Sequence, residues 1–344
     1  MKLNRRVWVI GLLLTVSTAL SLLGQAPTTL KLDVRLVNVV ATVSDAAGKH
    51  VPNLTADDFT VFEDGVPQKI AHFSQDRDVP VSVGILLDTS GSMATKIHTA
   101  TEAIERFINN VHADDDIFLM TFAGKVSLEQ DFTSDRKRLS RALNSLRISG
   151  GTLLFQALET AIEKVHKGRH DKRAVLVLSD GYDSSSRRTS LDKVLTDIRQ
   201  AEVLVYGLGT GMTTYADPTE HVPFTLPSEV SVTRGPSAIT NPRVQVSRGR
   251  GAQVPASLTG VNMTVMKQFA ESSGGAAFLL SETFVNDGRS EIDQVLSMIA
   301  DELRGQYTLA YYPSAPDNGR FHTIRVTTLG GHTVRTRNGY EGKR

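Results

Sequence analysis

At 344 residues, with 40% hydrophobic and 22% charged residues, the chain has an ordinary globular composition and exceeds the usual length of one domain, so two domains are expected. Its 38 lysines and arginines nearly cancel its 37 aspartates and glutamates, which leaves no global field drawing it to nucleic acid or to an anionic membrane surface. The absence of cysteine excludes disulfide frameworks, thiolate zinc sites, thiol catalysis and lipidation of an N-terminal Cys, so any metal must be held by oxygen or histidine.

Lys2, Arg5 and Arg6 precede an apolar run from Val7 to Leu23, and Gly24-Gln25-Ala26 places small residues where a signal peptidase cuts. Residues 1–26 therefore read as an export signal. Cleavage would start the mature chain near Pro27 in a secreted or periplasmic protein, and an uncleaved membrane anchor is the alternative, because the run is nearly long enough to cross a bilayer. No later segment is apolar over that length, so the mature chain is expected to have no membrane span.

Residues 27–79 read as a small β segment. Val34 to Val37 and Val40 to Val43 are strand-like, and Asp45 to Gly48 is rich in turn residues. Thr60 to Glu63 and Val66 to Ile70 flank Asp64-Gly65, a dipeptide suited to a two-residue hairpin turn. From Val81 to Leu87 the pattern becomes a nearly continuous apolar run ending in Asp88, as in a strand buried on both faces of a parallel sheet. Helices and strands then alternate: helix over 94–111, strand over 117–122, helix through Leu146 capped by Ser134 or Asp135, helix over 153–165, strand over 174–178, helix over 191–201 and strand over 203–208. That alternation predicts an α/β fold with a doubly wound, mostly parallel, Rossmann-like sheet over 80–304.

Periodicity fails over 212–259, where Pro, Ser, Thr and Gly dominate, and this stretch reads as a mobile surface insertion. Its Arg243, Arg248 and Arg250 suit either an anionic partner or a solvated loop. A helix over 261–272, a strand over 276–280 and a helix over 292–303 complete the unit. Residues 305–344 then return to antiparallel character, with strands over 307–312, 321–327 and 333–337. Each flanking β segment alone is thin, so the two are expected to build one small antiparallel domain, a sandwich with one partial sheet from each end.

Asp88-Thr89-Ser90-Gly91-Ser92 lies where a buried strand turns into a helix, the edge at which open α/β sheets place ligands. Alternate residues of such a turn can point into one concavity. Hard cations want about six oxygens, so other loops must contribute. Thr152, after Gly150-Gly151, and Asp180, in Ser179-Asp180-Gly181, lie at comparable edges. Together the five residues supply three hydroxyls and two carboxylates, leaving a coordination position for water or an incoming carboxylate. By itself the first loop is equally compatible with helix capping, and the added Thr152 and Asp180 favour the metal reading. Asp183 suits a second ion or an outer shell, but turn chemistry accounts for it as well. His166 and His170 have the spacing of zinc ligands on a helix, but Gly168 between them marks a helix end.

These residues and their order resemble the metal-ion-dependent adhesion site of von Willebrand factor type A (VWA) domains, and the flanking β segments resemble those of a bacterial VWA-related exported family. The resemblance covers about 80–209 and 260–304, and the 212–259 insertion departs from it. It implies that Asp88, Ser90, Ser92, Thr152 and Asp180 hold Mg²⁺, with Mn²⁺ or Ca²⁺ as alternatives, and that a partner protein completes the coordination with an Asp or Glu carboxylate. The expected function is metal-dependent protein binding, in adhesion or assembly, without catalysis or nucleic-acid binding. A structural module whose ion only stabilises the loops is the second reading. A hydrolase is disfavoured: a haloacid dehalogenase-type phosphatase needs a carboxylate where Ser90 stands, the same residue interrupts an aspartic-protease Asp-Thr-Gly, and no nucleophile elbow or phosphate loop appears.

Overall fold

The computed structural model describes residues 36–46, 48–75, 79–210, 260–280, 291–314 and 319–342. The expected export signal and the 212–259 insertion, with Arg243, Arg248 and Arg250, lie outside the described residues.

Four strands come first: Val37–Ser44 (β1), Phe59–Glu63 (β2), Val66–Gln68 (β3) and Ile70–Gln75 (β4). Val37, Val39, Ala41 and Val43 alternate inward along β1, which takes in Val40 to Val43 and Val37, the last residue of the earlier pattern, whose Val34 and Arg35 lie outside the described residues. At the predicted hairpin Glu63 pairs with Val66, and Asp64 and Gly65 take φ of 49° and 81°, the positive values that a two-residue turn requires.

Ser82–Asp88 (β5), Asp116–Phe122 (β6), Val126–Thr133 (β7), Arg173–Ser179 (β8), Leu204–Thr210 (β9) and Ala277–Leu280 (β10) form a six-stranded sheet in the order β10-β9-β8-β5-β6-β7. All neighbours are parallel except β7, which runs antiparallel on the edge. Sequence patterning missed β7 because its residues are mostly half-buried or exposed, so it lacks the apolar run of the inner strands.

Among the described residues six α-helices cover the sheet: Ile97–Asn110 (α1), Arg136–Leu143 (α2), Leu154–Val165 (α3), Leu191–Ala201 (α4), Met263–Ser273 (α5) and Glu291–Arg304 (α6). Strand alternation sends Val83, Ile85 and Leu87 to a core shared with α1, α2 and α6, and Leu86 to a core shared with α3, α4 and α5. Helices on both faces force the inner strands to be apolar on both sides, which is the pattern the sequence displays. Asp135 caps α2 by accepting from the main chain of Lys137 and Arg138.

The chain closes with Tyr307–Tyr311 (β11), Phe321–Thr328 (β12), Thr333–Thr336 (β13) and Gly339–Glu341 (β14). These join the first four strands in two antiparallel sheets, ordered β13-β1-β11-β4 and β14-β12-β2-β3. Each sheet therefore mixes strands from both ends of the chain, rather than drawing one sheet from each end. Residues 66–70, expected as one strand, divide: β3 pairs with β2, while β4 pairs with β11 in the other sheet. Val39, Ala41, Val61, Leu309, Tyr311 and Val326 share one core between the two sheets.

Candidate metal site

Strand order reverses between β5 and β8: the chain passes from β5 outward to β6, then returns to place β8 on the other side of β5. A crevice opens at the carboxyl ends of strands at such a point, and the loops after β5 and β8 border it. Asp88 ends β5 and is fully buried; its Oδ1 accepts from the Ser90 N–H at 2.8 Å and its Oδ2 from the Ser179 hydroxyl at 2.6 Å. The Ser90 and Ser92 hydroxyls lie 3.1 Å apart. A short 3-10 turn, Gly91–Met93, follows, and α1 begins only at Ile97, with Lys96 as its cap residue and no side-chain cap bond. The Asp88–Ser92 side chains therefore do not cap α1, and the capping reading of this loop is set aside.

Asp180 directly follows β8. Its carbonyl accepts from the Asn262 N–H at 2.7 Å, which draws the start of α5 against the site. Gly181 has φ of 79°, and a Cβ there would fall 2.5 Å from the Asn262 carbonyl oxygen, so the turn that aims Asp180 requires glycine. The Asp180 side chain is 3% exposed, but its donors are distant: the Tyr182 N–H is 3.4 Å from Oδ1, and the Lys96 ammonium is 3.7 Å from Oδ2. Burial raises the pKa of Asp88 above the ordinary carboxylate value; hydrogen bonds from Ser179 and Ser90 oppose the rise, and the nearby Asp180 charge adds to it.

Thr152 lies on the loop entering α3 and is buried. That loop is pinned at several points: the Ser149 N–H donates to the Thr89 carbonyl at 2.9 Å, the Leu153 N–H to that of Ala123 at 3.1 Å, and the Ser184 and Ser185 N–H groups to that of Thr152 itself. Among the described residues the Thr152 hydroxyl makes no hydrogen bond to the other four candidates; the main-chain bond from Ser149 to Thr89 ties its loop to the one that carries Ser90 and Ser92. Sequence reasoning missed Lys96 and the role of Ser179. Ser179 was legible as the residue between its strand and Asp180, whereas Lys96 becomes visible only when α1 is placed beside Asp180.

The other candidates resolve into structural roles. Asp183 accepts from the Phe155 N–H at 2.9 Å and from those of Ser185 and Ser186, closing its own turn and the start of α3. His166 ends α3, with its ring nitrogens against the Ile162 and Ala201 carbonyls, and His170 Nε2 meets the Asp114 carbonyl at 3.0 Å. Glu63, Asp64 and His322 form a cluster with metal-ligand chemistry elsewhere. There the Tyr311 and Tyr340 hydroxyls donate to Glu63 at 2.6 and 3.0 Å, and Asp64 accepts from Thr323, Arg320 and His322.

The von Willebrand factor type A domain family matches residues 83–182. An uncharacterized protein of Synechocystis sp., sll0103, is 25% identical over 166 residues, a match that spans 47% of this chain and 40% of that protein. An aerotolerance-related membrane protein from Bacteroides fragilis superposes with a TM-score of 0.44 at 20% identity, over 65% of this chain and 98% of that one. Proximal thread matrix protein 1 from the mussel byssus, solved with a zinc-occupied MIDAS motif, gives a TM-score of 0.44 at 14% identity, over 70% of this chain and 49% of that one. The family match runs along β5, through the Asp88–Ser92 loop and across β8 to the Asp180 turn, so that residues 83–182 match a von Willebrand factor type A domain.

Proposed function

We propose that the chain is a metal-ion-dependent protein-binding module of the cell envelope or exterior, in which Asp88, Ser90, Ser92, Thr152 and Asp180 hold a divalent cation, Mg²⁺ before Mn²⁺ or Ca²⁺. The carrying observation is Asp180: a carboxylate 3% exposed whose nearest donors stand at 3.4 and 3.7 Å, too far for strong hydrogen bonds. A buried carboxylate so poorly supplied with donors is costly unless a cation faces it, and the Lys96 ammonium at 3.7 Å offsets its charge without filling its hydrogen-bonding positions. Its neighbours are hard oxygen donors, which suits Mg²⁺ better than soft transition metals. Bound there, a divalent ion would supply the positive charge that a partner's Asp or Glu carboxylate requires.

The chain's own residues orient the site. Ser179 and the Ser90 N–H hold the Asp88 carboxylate from two sides, and the Asn262 N–H fixes the turn carrying Asp180. These loops are tied by main-chain hydrogen bonds that need no ion, which favours ligand binding over a purely structural metal. The same oxygen set offers no activated nucleophile, in keeping with a binding role rather than hydrolysis. Export fits residues 1–26, and no helix among the described residues is long and apolar enough to cross a membrane.

Calorimetric titration of Mg²⁺ and Mn²⁺ into the purified protein and its Asp88→Ala variant tests the reading. Saturable binding of one ion per chain, lost in a variant with unchanged circular dichroism, is expected. Equal heats from both proteins would sink it, and a variant that unfolds with the loss of the ion would favour the structural reading.

A further inference from the structure

Lys96 occupies a position that is unfavourable for an ammonium group. It is the cap residue of α1, where the helix presents the positive end of its dipole, and its side chain is 10% exposed. Both factors disfavour a cation, so a compensating charge is what favours this placement of the head over its extension to water. Among the described residues that charge is Asp180, whose Oδ2 lies 3.7 Å from Lys96 Nζ. The contact is too long for a strong hydrogen bond and acts as a charge pair across a buried gap.

We infer that Lys96 is the internal counter-cation of Asp180, and that divalent-ion binding is an exchange in which the ion takes the carboxylate and Lys96 gives it up. This inference rests on the metal-site reading above. A divalent ion held at Asp180 would have to share that carboxylate with the ammonium, and two like charges on one buried carboxylate repel strongly in a poorly hydrated site. Lysine can leave at little cost, because its four-carbon stem stays packed while the head swings to water. Lys96 thus keeps Asp180 neutralised in ion-free protein and lowers the affinity of the site for the ion. An uncharged residue of similar shape should bind the metal more tightly, and an arginine should not.

The test titrates Mg²⁺ and Mn²⁺ into wild type, Lys96→Met and Lys96→Arg, with Asp88→Ala as the control for the site itself. Lys96→Met is expected to bind roughly tenfold more tightly, with Lys96→Arg within about threefold of wild type. In chelator-treated protein Lys96→Met should lower the unfolding midpoint, and adding Asp180→Asn should restore part of the loss. A readout without substitution is acylation of wild-type lysines followed by mass spectrometry: Lys96 should become severalfold more reactive when Mg²⁺ is added. Lys96→Met affinity equal to or weaker than wild type, or Lys96 reactivity unchanged by Mg²⁺, overturns the exchange while Asp88-dependent binding still stands. Failure of wild type itself to bind either ion is a separate result and removes the metal-site reading together with the exchange.

Discussion

Glu63 and Asp180 are both strand-end carboxylates with side chains 3% exposed, yet their surroundings differ. Glu63 closes β2 among donors: the hydroxyls of Tyr311 and Tyr340 reach it at 2.6 and 3.0 Å, and His322 Nδ1 lies 3.6 Å away. Among the described residues Asp180 has the Tyr182 N–H and the Lys96 ammonium, at 3.4 and 3.7 Å. Burial alone therefore says little about metal binding. A carboxylate ringed by donors at hydrogen-bond distance is a structural acceptor, whereas one buried without them is the better candidate for a cation ligand.

The sharpest way to break this contrast is Glu63→Ala. It strands two buried tyrosine hydroxyls and should lower the unfolding free energy by about 3 kcal/mol in a urea titration, while leaving Mg²⁺ affinity unchanged. Asp180→Asn should do the opposite. Mg²⁺ affinity is expected to fall by about 100-fold, roughly 2.7 kcal/mol, with stability changed by less than about 1 kcal/mol because Lys96 can extend to water. A large loss of stability in Asp180→Asn, with affinity retained, would reverse the assignment of the two acids.

Ser179→Ala sharpens the comparison further, since this hydroxyl donates to Asp88 Oδ2 at 2.6 Å and accepts from the Gly181 N–H at 3.0 Å. Without it Mg²⁺ affinity should drop about tenfold, as when an orienting partner of a ligand is removed. Stability should fall by about 1 kcal/mol.

The smallest effect belongs to Asp64→Asn, at the exposed tip of the β2–β3 hairpin. The main-chain N–H of Thr323 is the chief cause of its lowered pKa; desolvation, next in size, opposes it, and His322 and the Thr323 hydroxyl add to the lowering. A carboxylate whose folded pKa lies below the ordinary 3.8 contributes stability that is present above that value and lost as pH falls through the lowered one. Wild type should exceed the variant by less than about 1 kcal/mol near neutral pH, and the difference should vanish in acid unfolding measured below the ordinary carboxylate range.

The amino-acid sequence alone determined the parallel sheet and the candidate residues. Buried strands such as β5 and β8 carry apolar residues on both faces, and the amphipathic helices between them repeat at helical spacing, so periodicity betrays both. Asp88, Ser90, Ser92, Thr152 and Asp180 stood out because each follows such a strand or a glycine-rich turn.

Only the tertiary structure decided what depends on neighbours distant in the chain. The edge strand β7 is recognised through its pairing with β6, not through its own residues. The mixed composition of both antiparallel sheets follows from registers such as Val39 with Leu309 and Val61 with Val326, which join residues more than two hundred positions apart. Lys96 shows the same limit at the site. Its sequence context is an ordinary helix start, and its significance arises because the reversal of strand order between β5 and β8 brings α1 beside Asp180. Periodicity reports how a segment faces a core, but a charge pair or a strand pair is a property of two segments, and only the folded chain brings them together.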